Sequence, residues 1–215
     1  MNGGSASVMA VALAELREHG VATVYEAAGR QGLIDAPLHR IVPGTRVAGP
    51  ARTVACGQGD NLMVHAAMAR VQPGDVLVLT MPASAPVALV GDLLATQAKV
   101  RGAAGMLIDA SVRDVEELVV LGLPIWARYV RVRGATKNVV GRLDAPVRVG
   151  GCDIDPGDIV VLDADGGVCV PAERLEEVRV KARARVEREA AMRERLLKGE
   201  LSYDIHGLRQ LVEGT

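Results

Sequence analysis

Residues 73–130 read PGDVLVLTMPASAPVALVGDLLATQAKVRGAAGMLIDASVRDVEELVVLGLPIWARYV. Three short apolar runs stand out: VLVLT after a Pro-Gly-Asp turn, GMLIDA at 105–110, and PIWARYV at 124–130. Their length and content predict strands buried in a sheet. Residues 92–101 and 115–121 between them carry helical spacing, and 81–90 is expected to be a loop leading to a helix that starts near Gly91. A β–α–β–α–β order of this kind predicts a parallel sheet with right-handed crossovers.

The flanks add to that frame. RVAGPARTVAC (46–56) alternates and is β-like, and DNLMVHAAMARV (60–71) is expected as a helix with Asp60 as its N-cap. Residues 7–18 are helical in pattern, with Gly20 as a stop, and TVYEAAGRQG (23–32) reads as a second short helix ending in glycines. A second Pro-Gly-Asp turn opens DPGDIVVLDADGGVCVP (155–171), expected as a strand pair turning at Asp163-Ala-Asp-Gly-Gly. From Ala172 to about Lys198 the chain reads as one long charged helix ended by Gly199. Its apolar stripe of Leu175, Val178, Ala182 and Val186 is narrow. Such a helix either extends onto a neighbouring subunit or lies solvated on the surface.

With 215 residues, 49% of them hydrophobic, the chain can build a large core. Aromatics are 2% and Phe is absent, so Val, Leu, Ile and Ala must fill it. A net charge of −1 provides no bulk attraction for nucleic acid. Trp126 has only Tyr129 near it, too little for a stacking platform, and no GxxxxGK[ST] phosphate loop occurs. Cys56, Cys152 and Cys169 are dispersed, which argues against a disulfide framework and for a reducing, cytoplasmic setting. The N-terminal stretch lacks a basic segment and is interrupted by Glu15, so neither a signal peptide nor a membrane span is expected.

The chemistry concentrates between Gly91 and Asp114. A helix start leaves about four amides without intrahelical partners, and glycine lets a ligand approach them. The N–H groups of Gly91, Asp92, Leu93 and Leu94 can therefore cradle a carboxylate or carbonyl oxygen. The strand at 105–110 delivers Arg113 and Asp114 to the carboxyl end of the sheet, where ligands of open parallel sheets bind. Arg113 can take a carboxylate bidentately, and Asp114 with Asp92 behind it offers hard oxygen ligands to Mg²⁺ or Mn²⁺. The same residues also suit a plain turn and an exposed ion pair at a helix start. His19, His39, His65 and His206 lack metal-ligand spacing, His65 reads as a helix packing group, and Cys56 as a small core residue.

Asp92 and Arg113-Asp114 at this spacing, with TVYEAAGRQGLID, RVAGPARTV, DNLMVHAAM, PGDVLVL, DPGDIVV and LSYDIHGLRQ, strongly resemble the RraA-like superfamily. The resemblance is closest to its class II 4-hydroxy-4-methyl-2-oxoglutarate/4-carboxy-4-hydroxy-2-oxoadipate aldolases. It implies a layered α/β/α fold with a β-barrel-like core and a long C-terminal helix. It divides the chain into a catalytic domain, 1–171, and a helical extension, 172–215, that contacts a neighbouring subunit in a homotrimer or homohexamer. It further implies that Gly91, Asp92, Leu93 and Leu94 bind the pyruvyl unit with Arg113, that Asp114 ligates Mg²⁺ or Mn²⁺, and that Asp92 holds the metal's waters. Glu189 and Glu26 are matched to acids from the adjacent subunit, with Glu187 and Glu200 as competitors for the first. The implied activity is cleavage of these hydroxy-oxo acids to pyruvate plus pyruvate or oxaloacetate, with oxaloacetate decarboxylation, in aromatic compound degradation. A Schiff-base aldolase using Lys99 or Lys137 is a further option. So is the superfamily's non-enzymatic branch, regulators that bind a ribonuclease and depart from the acidic part of the site.

Overall fold

The computed structural model describes residues 3–214; Met1, Asn2 and Thr215, at the ends of the expected domain division, lie outside them. The chain runs α1 (Gly3–Ala27), β1 (Leu33–Ile34), β2 (His39–Arg40), β3 (Val47–Ala55) and α2 (Leu62–Ala67). It continues through β4 (Val76–Thr80), β5 (Ala88–Val90), α3 (Asp92–Val100), β6 (Gly105–Val112), α4 (Val115–Leu121) and β7 (Ile125–Val130). Then follow β8 (Arg142–Leu143), β9 (Val147–Val149), β10 (Cys152–Ile154), β11 (Ile159–Asp163) and β12 (Gly166–Val170). A 3₁₀ turn (Ala172–Arg174) leads into α5 (Leu175–Leu197), and α6 (Ser202–Ile205) and α7 (Arg209–Glu213) end the chain.

The main sheet has the order β1-β12-β11-β3-β4-β6-β7-β2. Its centre, β3-β4-β6-β7, is parallel, and β4, β6 and β7 are the three strands of the β–α–β–α–β reading. Both margins are antiparallel. Side chains alternate strictly between its two faces. Val76, Val78, Leu107, Trp126, Val160, Leu162 and Cys169 point to one shared interior, with Val149 and Ile154 of the β9-β10 ribbon. Leu77, Leu79, Met106, Ile108, Ile125 and Ala127 point outward under α2, α3 and α4. Val161, Val168 and Val170 point outward under α1 and α5. The sheet curls so far that the indole Nε1 of Trp126 on β7 donates to the Asp163 carbonyl of β11 at 2.8 Å. The result is a barrel-like core between two helical layers, followed by the long C-terminal helix.

Helix α1 breaks at Gly20 (φ 82°, ψ 168°), where the sequence places its stop. Asp163 of β11 accepts the Val21 N–H at 2.8 Å and so caps the second segment from across the fold. It also accepts the Asp165 N–H in its own turn. Asp163→Ala should cost about 1–3 kcal/mol, since it uncaps a helix and leaves a buried amide unpartnered. A lowered urea midpoint with an unchanged m-value is the expected readout.

Two expectations are corrected. The helix expected over 60–71 is only α2, because its last turn tightens into i→i−3 bonds from Met68 and Ala69. Asn61, not Asp60, is its N-cap, although the Asp60 carboxylate still accepts the Leu62 N–H at 2.8 Å. The expected loop 81–90 contains β5, which pairs with Ser111 and Val112 of β6 beyond the end of β4. Three residues are too few to show a period, so only the pairing reveals the strand.

The stripe of α5 is buried at Leu175, Val178 and Ala182, and half-buried at Val186. Among the described residues no helix is long and apolar enough to cross a membrane.

Candidate active site

Strand β5 ends at Val90, β6 ends at Val112, and the Arg113 N–H donates to the Val90 carbonyl at 3.1 Å. That bond brings the start of α3 against the Arg113-Asp114 corner. Gly91 is the N-cap of α3, and the helix begins with the Ala95 N–H to the Gly91 carbonyl. The Asp92 N–H donates to Asp114 Oδ2 at 3.2 Å. The amides of Gly91, Leu93 and Leu94 have no partner among the described residues. They form a row of free donors at the positive end of a helix dipole.

Gly91 is glycine for want of room. A Cβ there would stand 2.3 Å from Asp114 Oδ2 and 3.2 Å from Arg113 Nε. Asp114 itself adopts the left-handed conformation (φ 61°, ψ 44°), which Asp tolerates better than most residues. This backbone turns its carboxylate back toward α3, and Arg113 Nε lies 3.6 Å from Oδ2. Arg113 and Asp114 are both part exposed, so both face the rim and not the core.

A cleft of about 190 Å³ opens beside this corner. Gly91, Asp92, Leu93, Leu94 and Arg113 line one side, and Asn61, His65, Gly134, Ala135 and Lys137 the other. The second wall is pinned by Asp60. Its fully buried carboxylate accepts from Thr136 Oγ1 (2.7 Å) and from the amides of Asn138 (2.6 Å), Val139 (3.2 Å) and Leu62 (2.8 Å). Burial pushes this carboxyl upward, but these bonds outweigh it and draw the group from its ordinary 3.8 to about 2. A depressed carboxyl stabilises the fold above its unfolded value and loses that contribution as pH falls through the folded value. Amides 138 and 139 should therefore lose hydrogen-exchange protection between about pH 4 and pH 2. Asp60→Asn should weaken that protection at neutral pH and flatten the acid dependence.

Two lining residues, Asn61 and Gly134, carry no signal in the sequence. Asn61 is 8% exposed; its Nδ2 donates to the Leu89 carbonyl at 2.9 Å, and its buried Oδ1 lacks a partner among the described residues. His65, expected as a packing group, is exposed on α2 and lines the cleft. Gly134 admits the Arg113 guanidinium, with Nη1 3.0 Å from where a Cβ would stand. Lys137 also lines the cleft but is exposed, so it lacks the desolvation that activates a Schiff-base lysine. Lys99 is spent elsewhere, its Nζ donating to the Leu121 carbonyl.

Glu26 and Glu189 lie outside this cleft within one chain. They meet instead through Arg185, whose Nε is 2.8 Å from Glu189 Oε1 and whose Nη1 is 3.8 Å from Glu26 Oε2. Glu26 also pairs with Arg30. Of their competitors, Glu200 is paired with Arg195 and Glu187 is exposed.

The donor set can be tested against a divalent ion. Among the described residues no three His, Cys, Asp or Glu side chains form a metal cage. Asp92 lines the cleft and Asp114 stands at the corner beside it, and among the described residues the Asp92 carboxylate has no hydrogen-bond partner. Two hard oxygen donors beside an open cleft suit an ion that keeps several waters, as Mg²⁺ does.

Parallel strands that end in a cleft flanked by a helix N-terminus define an α/β protein with a candidate site at the strands' carboxyl ends, where ligands of such sheets bind. The chain belongs to the RraA-like family: the family's Aldolase/RraA model matches residues 21–169. It is 38% identical over 138 residues to a protein of Halalkalibacterium halodurans provisionally named 4-hydroxy-4-methyl-2-oxoglutarate aldolase. That match takes in 64% of this chain and 66% of the relative, so the chain spans just under two thirds of the relative's length. The crystal structure of an uncharacterized Pseudomonas syringae protein superposes with a TM-score of 0.80 at 28% identity, covering 89% of this chain and 90% of that one. Streptomyces coelicolor RraAS2, described as an unusual member of the RNase ES inhibitor RraA family, superposes with a TM-score of 0.75 at 30% identity, covering 85% and 96%.

Proposed function

We propose that the chain is a divalent-metal-dependent carbon–carbon lyase that cleaves 4-hydroxy-4-methyl-2-oxoglutarate or 4-carboxy-4-hydroxy-2-oxoadipate. The products are pyruvate plus pyruvate or oxaloacetate. The observation that carries this reading is the convergence of the free α3 amides, Arg113 and Asp114 on one corner that only glycine at 91 can accommodate. The provisional name of the H. halodurans relative supports it.

In this reading the Leu93 and Leu94 amides hold the substrate's C1 carboxylate. Arg113 donates to the C2 oxygen and stabilises the negative charge that gathers there as the C3–C4 bond breaks. Asp92, whose carboxylate has no hydrogen-bond partner among the described residues, receives the 4-hydroxyl proton directly or through one water. The free Asn61 Oδ1 can accept a hydrogen bond from the same hydroxyl. Asp114 would hold Mg²⁺ or Mn²⁺, with Asp92 toward its waters; when bound, the ion supplies Lewis-acid polarisation of the carbonyl. Glu26 and Glu189 are assigned to the cleft of a neighbouring copy in a trimer or hexamer, adding acidic groups to the side that one chain leaves open. Oxaloacetate fits the same contacts, and its loss of CO₂ yields the same enolate, so decarboxylase activity belongs to the proposal.

The test is pyruvate release from oxaloacetate and from 4-carboxy-4-hydroxy-2-oxoadipate, with Mg²⁺, with Mn²⁺ and after chelation. Turnover should vanish with chelator and return with the ion, and borohydride should trap no pyruvate adduct. Full turnover in chelator would sink the reading. The likeness to RraAS2 favours a second reading, a regulator that binds a ribonuclease. Capture of a ribonuclease by a chain that releases no pyruvate would select it.

A further inference from the structure

A second cavity, of about 330 Å³, lies away from the cleft, between the end of α1 and strands β10 and β12. Cys152 of β10 and Cys169 of β12 both line it, together with Gly32, Asp158 and Arg174. The two thiols are free and 8% and 3% exposed. Both are also anchored on one carbonyl: Gly32 O accepts the Cys169 N–H at 2.8 Å and the Cys152 thiol at 3.6 Å. The Asp158 carboxylate lies 3.8 Å from Cys169 Sγ. No ladder joins the two strands, since β10 pairs with β9 and β12 pairs with β11 and β1.

We propose that Cys152 and Cys169 are an oxidation site, which a small hydroperoxide entering the cavity converts to an intrachain disulfide that ties the β9-β10 ribbon to the main sheet. Cys152 is the attacking thiol. It is the more exposed of the two thiols, and the Asp158 carboxylate beside Cys169 opposes formation of a thiolate there. The Cys152 sulfur attacks the peroxide, the O–O bond breaks, and an alcohol or water leaves with formation of a sulfenic acid. The Cys169 sulfur then displaces that hydroxyl. Its proton passes to Asp158 and on to the departing hydroxide, which leaves as water. Two thiols are oxidised by two electrons in total, and one peroxide is reduced. Cys56 is an internal control: it lies outside the cavity, and burial pushes its thiol up to about 12.

The experiment is intact-mass and non-reduced peptide analysis of the whole chain after hydrogen peroxide, with the unfolded chain treated in parallel. Wild type should lose two hydrogens, yield a single 152–169 linked peptide, leave Cys56 alkylatable after unfolding, and revert with dithiothreitol. Its melting temperature should rise by roughly 5–10 °C, as expected for closing a short loop. Cys169→Ser should stop at a sulfenic acid on residue 152, trapped by dimedone. Cys152→Ser should resist peroxide that oxidises its unfolded form. Separate oxidation of the two thiols, an interchain link, or no reaction where the unfolded chain reacts would overturn the proposal.

Discussion

Asp114→Asn should lower metal-dependent pyruvate release by about 10³-fold or more while leaving the melting temperature within a few degrees of wild type. The substitution keeps the shape of the side chain, and Asn tolerates the left-handed backbone that residue 114 adopts. Its amide oxygen can still accept the Asp92 N–H, so the α3 start stays in place. What disappears is the negative charge that the proposed ion requires and that Arg113 faces at 3.6 Å. Loss of turnover at every Mg²⁺ and Mn²⁺ concentration, with unaltered circular dichroism, is the expected pattern. Comparable turnover in the variant would remove Asp114 from the chemistry.

The second large effect is expected from one methyl group. In Gly91→Ala the new Cβ meets Asp114 Oδ2 at 2.3 Å, a separation no real structure retains. The carboxylate is the far end of a part-exposed side chain, so it swings aside and the fold yields little, about 1 kcal/mol. The swing breaks the bond to the Asp92 amide and moves the carboxylate off the corner. Arg113 Nε, 3.2 Å from the same Cβ, must give as well. Misplacement on the order of 1 Å at reacting groups costs about 10²-fold, so turnover should fall at least that far with only a small drop in the urea midpoint. A variant that unfolds outright would show instead that this corner is chiefly structural.

These effects differ in how far the sequence shows them. The parallel centre of the sheet is legible from PGDVLVLT, GMLIDA and PIWARYV, because a strand buried on both faces must be apolar throughout. The break at Gly20 and the left-handed end at Gly199 are legible because only glycine adopts such backbone without cost. Gly91, Arg113 and Asp114 are legible as candidates, since a helix start and a strand end are local features. The second wall of the cleft is not. Asn61 and Lys137 are far apart in the chain and are brought together by the buried carboxylate of Asp60, through bonds to residues 136, 138 and 139. In the sequence that aspartate looks like an ordinary helix cap.

The amino-acid sequence alone determined the long helices, the three strands β4, β6 and β7 as parallel neighbours of alternating helices, and the residues able to bind an anion or a hard cation, because periodicity, turn chemistry and side-chain type are properties of short segments. The tertiary structure decided which of those residues share a cavity. It placed Asn61, His65 and Lys137 opposite Arg113, set Glu26 and Glu189 apart around Arg185, and brought Cys152 and Cys169 to one cavity. Such meetings depend on the curl of the sheet and on single long-range hydrogen bonds, and no local pattern encodes them.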